Sequence, residues 1–316
     1  MNAPLGALTS VGWHSRCTDD LAAALSGGVP APACLVMGDS TFERVANQDT
    51  DRRSLAEMFL DDLAEAGPVG IVSKGAYTLP LFERVLAAGA KIGWRPRHVA
   101  IIVNLRSFGP VWMGTPAWQF KMEMEWLAAI AQGATPVIPS PTDEALGDEV
   151  QFLATPLAIE GVLAPTIGAL QTFLADKSDT TEPLRLREVF RAYHGFAIPP
   201  DHPRLQALCA TVALALSLGA DVHAYLAPVN LDAAAQYAGE EMRERVAANV
   251  VAVRQALTAQ LARSQVHLLD FTDTFPASAF LRPSHPTEHL NAEGRRILSR
   301  RLAQSILGAT SHEEAS

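Results

Sequence analysis

The sequence predicts an α/β protein: a parallel sheet of about five strands with helices on both faces. Short apolar runs recur along the chain, and amphipathic stretches separate them. That alternation is the pattern of a parallel sheet wound through helical crossovers. The 316 residues allow one large domain or two small ones with a substantial core. We read residues 1–316 as a single α/β domain carrying an internal insertion.

The strand-like runs are Ala33–Met37, Val69–Ser73, Val99–Val103, Val222–Ala227 and Val266–Phe271. Each is short, apolar and rich in strand formers or bounded by turn residues. Gly38-Asp39-Ser40 closes the first run, which reads as a buried strand followed by a sharp turn. Between the first two runs, Ser54–Ala66 sets Leu55, Phe59 and Leu63 at helical spacing. Leu79–Leu86 is the helix expected before the third run. The interval Ser107 to Gly219 is too long for a plain crossover and marks an insertion over residues 107–219. It carries Trp112, Trp118 and Trp126, an apolar helical segment Leu153–Phe173 and a polar loop Asp176–Glu182. It is read as a helical cap over the strand ends, or as elements that complete the core. The three tryptophans fit either role. Leu205–Ala220 reads as a buried helix, Asp232–Ser264 as a long amphipathic one and Ala292–Ile306 as the closing one. A polar tail, Ser311–Ser316, follows, and no fixed-period repeat is present.

Composition removes several function classes. Hydrophobic residues make up 48% and charged residues 19%, as in ordinary folded proteins. A net charge of −9 opposes binding to nucleic-acid backbones and to anionic membranes. Met1 to Asp20 shows no basic segment leading into an apolar one, so no signal peptide is read. No window reaches the ~18 uncharged apolar residues of a membrane span. Cys17, Cys34 and Cys209 are odd in number and widely spaced, which suits free thiols in a reducing cytoplasm. The phosphate-binding Walker loop and the Gly-x-Gly-x-x-Gly turn are both absent, so no nucleotide cofactor is expected.

Ser40 has two readings. It is a preferred helix N-cap. It also stands at the carboxyl edge of a strand, where open α/β sheets bind ligands, and there it can act as a nucleophile. An acyl-transfer serine needs a base and oxyanion donors. His289 is the base candidate, in Glu288-His289-Leu290-Asn291-Ala292-Glu293-Gly294 between the last strand and the last helix. The alternative is that it caps that helix. Oxyanion donors are sought at neighbouring strand ends: Gly75 after the second run, the Asn104 amide after the third, and the Ser40 N–H itself. Arg106 suits an acidic group or a surface carboxylate, and Lys74 is equally open.

Gly38-Asp39-Ser40, a Gly after strand two, an Asn after strand three and a late His-Leu-Asn-x-x-Gly together resemble the SGNH (GDSL) hydrolases. The resemblance spans about Cys34 to Leu307. The run Gly75–Phe120 also resembles the DltD-like branch, whose members usually carry an amino-terminal membrane anchor not seen in this sequence. The resemblance implies a flavodoxin-like three-layer α/β/α fold. It implies Ser40 as nucleophile, His289 as base, and Ser40, Gly75 and Asn104 in the oxyanion hole. The implied activity is ester or thioester hydrolysis, or acyl transfer, on a small-molecule or carrier-bound acyl substrate.

One position departs from the family pattern. The Asp expected three residues before the histidine is Pro286 here. Losing the triad carboxylate can cost ~10⁴ in rate. Glu288, His285, Asp270 and Asp273 are candidate substitutes, and a Ser–His dyad leaning on a backbone carbonyl is another. The dyad with His285 nearby is the favoured expectation. The missing Asp also motivates a second function class, a non-catalytic binding protein that keeps the fold. His285-x-x-Glu288-His289 matches an inverted zinc-protease pattern, which needs both histidines on one helical face and a third ligand. Pro286 permits that helix only at its first turn, so no metal is expected.

Overall fold

The computed structural model describes residues 12–15, 18–27, 30–113, 120–135 and 183–313, with a few isolated positions between 136 and 182. All five apolar runs form strands. A short edge strand from the amino-terminal segment, β1 (Gly12–Ser15), joins them. The others are β2 (Cys34–Gly38), β3 (Val69–Ser73), β4 (His98–Val103), β5 (Asp221–Leu226) and β6 (Val266–Asp270). Every pairing is parallel, in the order β1-β3-β2-β4-β5-β6. β2, β3 and β4 are buried along their whole length, which is why they read as unbroken apolar runs.

Leaving out the edge strand, the order is that of a flavodoxin-like doubly wound sheet. The chain leaves β2 toward β3 on one side and β4 toward β5 on the other. Right-handed crossovers then send the intervening helices to opposite faces. Packing agrees. The helix α1 (Thr18–Leu25) follows β1, and α2 (Leu55–Asp62) follows β2. Beyond β3 come α3 (Leu79–Lys91) and, after β4, α4 (Lys121–Ala131), α5 (Pro183–His194) and α6 (Pro203–Ser217). Next are α7 (Leu231–Ala238), α8 (Glu240–Ala256) and the closing α9 (Ala292–Glu313). α3 packs with α4 and α6, and α2 packs with α9. The crevice between the carboxyl ends of β2 and β4 is therefore the topological switch point.

Local sequence explains the helix limits. Ser54 and Glu57 start α2 with a capping box, each side chain accepting the other's backbone N–H at 3.2 and 2.7 Å. The amphipathic stretch expected as one helix over Asp232–Ser264 is broken at Gly239. Its φ of 91° lies in the left-handed region that favours glycine, so α7 ends there and α8 begins. The closing helix runs past Ile306 into the polar tail. Part of the expected insertion lies in the core: α4 and α6 join α3 in one helical layer, and Trp126 is buried on α4. Trp118, Asp176–Glu182 and nearly all of Leu153–Phe173 fall outside the described residues, as does Cys17. Cys34 is fully buried, and desolvation pushes its thiol up to about 12. Among the described residues no helix is long and apolar enough to cross a membrane.

Three histidines lie side by side across β4, β5 and β6. The His98 and His223 ring centroids are 5.6 Å apart, and those of His223 and His267 are stacked at 4.9 Å. His223 is fully buried, with Nδ1 3.0 Å from Ser305 Oγ on α9. Burial, and then repulsion from the other two rings, brings it down to about 3. A histidine depressed below its unfolded pKa of about 6.5 contributes its full stability above that pH and loses it as acid is added. Urea unfolding of the native chain should weaken from pH 6 to 4 more steeply than that of His223→Gln. The excess slope should reach at most about 1.4 kcal/mol per pH unit. Equal slopes would place the acid sensitivity elsewhere.

Candidate active site

Gly38 closes β2, and its role is close approach. A Cβ there would sit 2.3 Å from the ring of Phe42, which is fully buried against it. Asp39 then caps the short 3₁₀ turn Ser40–Phe42, its Oδ1 accepting the Thr41 N–H at 2.9 Å. The cap is therefore Asp39, and Ser40 Oγ is left for another partner. That partner is His289, whose Nε2 lies 2.9 Å from Ser40 Oγ across 249 positions of sequence.

His289 stands in a loop ahead of α9. Its backbone carbonyl accepts from Leu281 N–H at 2.9 Å, and the next residue, Leu290, bridges to Phe280. Asn291, not His289, caps the helix, accepting Gly294 N–H at 3.0 Å. Asn230 Nδ2, fully buried, donates to the carbonyls of Pro283 and His285 at 2.8 and 3.2 Å, which pins the start of the loop. The imidazole Nδ1 meets Thr287 Oγ1 at 2.9 Å, and that oxygen also accepts the His289 backbone N–H at 3.1 Å. With its proton on Nδ1, the ring offers the Nε2 lone pair to Ser40.

The loop is tied to the Ser40 side of the site by Arg295, a buried residue of α9. Its Nη1 donates to Asp49 Oδ2 and to the Leu290 carbonyl, both at 2.9 Å. Its Nε and Nη2 donate to the carbonyls of Arg53 and Asp51 at 3.1 and 3.0 Å. One guanidinium thus joins the residue after His289 to the segment that follows Ser40.

Charge around the imidazole comes from Glu288 and Arg106. Glu288 Oε1 lies 3.9 Å from His289 Nε2 and pairs with Arg106 Nη2. The Arg106 guanidinium packs on two aromatic rings, 4.8 Å from the Trp112 centroid and 4.9 Å from that of Tyr193. Burial pushes the Glu288 carboxyl up, but Arg106 and then His289 more than offset it and hold it below the usual range. Burial pulls His289 down, Glu288 resists, and the ring ends below its ordinary value. The ring is neutral near pH 7. Asp39 is raised, first by burial and then by the charge of Glu288.

Asn104 and Gly75 sit at the ends of β4 and β3. Asn104 Nδ2 donates to Asp39 Oδ2 at 2.9 Å, one of the two hydrogens that nitrogen carries. A Cβ on Gly75 would lie 3.9 Å from Ser40 Cβ, so its backbone runs beside Ser40. Ala76 follows with φ 68°, a left-handed conformation that is costly outside glycine and recurs at functional sites. An open depression of roughly 240 Å³ is lined by Ser40, Ala76, Tyr77, Asn104, Arg106 and Trp112, among others.

The other candidate supports of His289 make contacts of their own. The hydroxyl at Nδ1 belongs to Thr287, whereas His285 Nδ1 lies 3.2 Å from Ser284 Oγ. Asp270 accepts from Thr272, and Asp273 lies 3.8 Å from Arg243. Glu288 approaches the ring on its Nε2 side. Lys74 pairs with Glu123 of α4 at 3.2 Å. His285, Glu288 and His289 lie in non-helical chain, so the helical face a zinc-protease pattern needs is not formed. Among the described residues no group of three His, Cys, Asp or Glu side chains could hold a metal ion.

No protein-family model matches the chain, and no curated protein matches it. Among solved structures it is similar to a mutant acetyl-xylooligosaccharide esterase from Geobacillus, at 12% identity with a TM-score of 0.39. The alignment covers 86% of this chain and 92% of that one. A likeness this distant settles nothing about chemistry.

The Arg295 clamp has a measurable energetic consequence. Removing one partner of a buried ion pair leaves the other uncompensated, at a cost of about 3–5 kcal/mol. Arg295→Met should lower the urea-unfolding free energy by about that amount. Asp49→Asn should also destabilise, and the double variant should cost less than the two single losses added. A loss below about 1 kcal/mol for Arg295→Met would show that the clamp is dispensable.

Proposed function

We propose that this chain is a serine-dependent ester or thioester hydrolase or acyltransferase of the SGNH kind, with Ser40 as nucleophile and His289 as general base. The observation that carries the reading is the 2.9 Å contact between Ser40 Oγ and His289 Nε2 at the switch point of the sheet. It joins a hydroxyl to a neutral imidazole at the edge where such sheets bind ligands.

Ser40 Oγ attacks the acyl carbonyl carbon as its proton passes to His289 Nε2. The carbonyl oxygen becomes an oxyanion, met by the Ser40 N–H, the Gly75 N–H and the second Asn104 amide hydrogen. The tetrahedral intermediate collapses, the bond to the leaving group breaks, and His289 returns the proton to it. Water, or an acceptor hydroxyl or amine, then attacks the acyl-enzyme by the same route. The substrate is a small-molecule or carrier-bound acyl compound, and no cofactor takes part.

Incubation with a fluorophosphonate probe followed by intact-mass measurement tests this. The native chain should gain one adduct, and Ser40→Ala none. His289→Ala should slow labelling by about 10³-fold or more, and Asn104→Ala by about 10²-fold. An unlabelled native chain, beside a control hydrolase that labels, would favour a binding protein that keeps the fold.

A further inference from the structure

In a serine triad one carboxylate does two things at the imidazole: it fixes the tautomer at Nδ1 and it balances the charge of the imidazolium. Here Nδ1 faces a hydroxyl, Thr287 Oγ1 at 2.9 Å, which can orient the ring and carries no charge. The charged groups acting on His289 are Glu288, Arg106, Asp39 and Arg44, while Tyr193 and His194 of α5 feel the same Arg106–Glu288 pair. Of these, Glu288 comes within 3.9 Å of Nε2.

Glu288 is also placed as a functional carboxylate would be. It is buried, and its partner Arg106 lines the open depression beside Ser40. Its burial is made tolerable by Arg106, which is itself held against Trp112 and Tyr193. The same oxygen, Oε1, meets Arg106 and approaches the imidazole. The pair therefore presents a fixed negative oxygen to the ring nitrogen that receives the proton.

The geometry points to a division of the triad carboxylate's two jobs: Thr287 orients His289 through Nδ1, and Glu288 supplies the balancing negative charge from the Nε2 side. This rests on the reading of Ser40 and His289 as nucleophile and base. When Nε2 takes the Ser40 proton, the ring carries N–H at both nitrogens. Thr287 Oγ1 accepts from Nδ1–H, and Glu288 faces the new positive charge. Both are positioning residues, acting on the acyl group only through His289.

The two roles give different signatures in the pH dependence of fluorophosphonate labelling. Removing charge should change the basicity of the ring, whereas removing the orienting hydroxyl should lower the rate with the titration in place. Glu288→Gln should move the labelling midpoint about one pH unit lower and reduce the plateau about tenfold. Thr287→Val should reduce the plateau about tenfold while the midpoint moves by less than about 0.3 unit, and Thr287→Ser should recover the rate. Glu288→Gln also leaves Arg106 unpaired, so Arg106→Gln and the double variant are measured alongside. The double variant should keep the lowered plateau while its midpoint returns partway, because the Arg106 charge itself lowers the imidazole. If it regains the native rate, Glu288 serves only to neutralise Arg106 and the inference fails. It fails equally if Glu288→Gln leaves the midpoint unchanged, or if Thr287→Val shifts it as far.

Imidazole ¹⁵N titration by NMR in a Ser40→Ala background reads the His289 pKa without any reaction, and adding Glu288→Gln should lower it. An unchanged value there overturns the inference even where a labelling variant is poorly folded. A native chain that takes no label overturns the Ser40 reading and this inference with it. Native labelling with the wrong variant pattern overturns the inference alone.

Discussion

A buried guanidinium holds this site together. Ser40 and His289 are separated by most of the chain, and their hydrogen bond forms only if two surface loops are fixed relative to each other within a fraction of an ångström. Arg295 does this by donating to Asp49, Asp51, Arg53 and Leu290. Three of those acceptors are backbone carbonyls, so the clamp fixes chain path and not merely side-chain packing. The Asp49 carboxylate neutralises the arginine and makes its burial affordable. Breaking this pair leaves an uncompensated charge in the core and frees the loop that carries His289.

Electrostatics then sets the state of each group. Burial alone would leave every carboxyl near Ser40 protonated and every imidazole neutral. Arg106 reverses that for Glu288 and keeps it ionised. Asp39 is raised, first by burial and then by the charge of Glu288, and its oxygens are taken by the Thr41 N–H and the Asn104 amide. The two carboxyl groups differ through their partners, not their chemistry. One is a local scaffold that aims Ser40 and Asn104. The other is a charge held beside the base.

The sheet was legible because buried parallel strands are short, apolar and bounded by turn residues. The strand ends then led to Ser40, Gly75, Asn104 and His289, since a parallel sheet collects those ends at one edge. The short edge strand Gly12–Ser15 was not assigned, because its few residues make no apolar run. Gly239 was hidden inside a stretch with continuous helical periodicity. Thr287 was missed because the family pattern directs attention three residues before the histidine. In an extended loop, residues two apart share a side, which favours Thr287 over Pro286 and Glu288 as the neighbour of Nδ1. Arg295 carried no local signal. Its partners lie more than 240 positions away, apart from Leu290, and a lone arginine in an amphipathic helix reads as solvated.

The departure at Pro286 follows from how this loop is built. A carboxylate at Nδ1 has to be desolvated, and it would add to the charge of Glu288, which already acts on the imidazole. A further negative charge there would raise Asp39 more and oppose the pull of Arg106 on Glu288. A threonine hydroxyl fills the orienting role without adding charge. Arg106 can neutralise one carboxylate, and the loop provides one for it, Glu288. Pro286 stiffens the backbone between His285 and Thr287, limiting the conformations from which the Thr287 hydroxyl must be ordered. On this account the proline is part of the loop geometry that sets Thr287 against His289 Nδ1, with Glu288 two residues beyond the proline in the same loop.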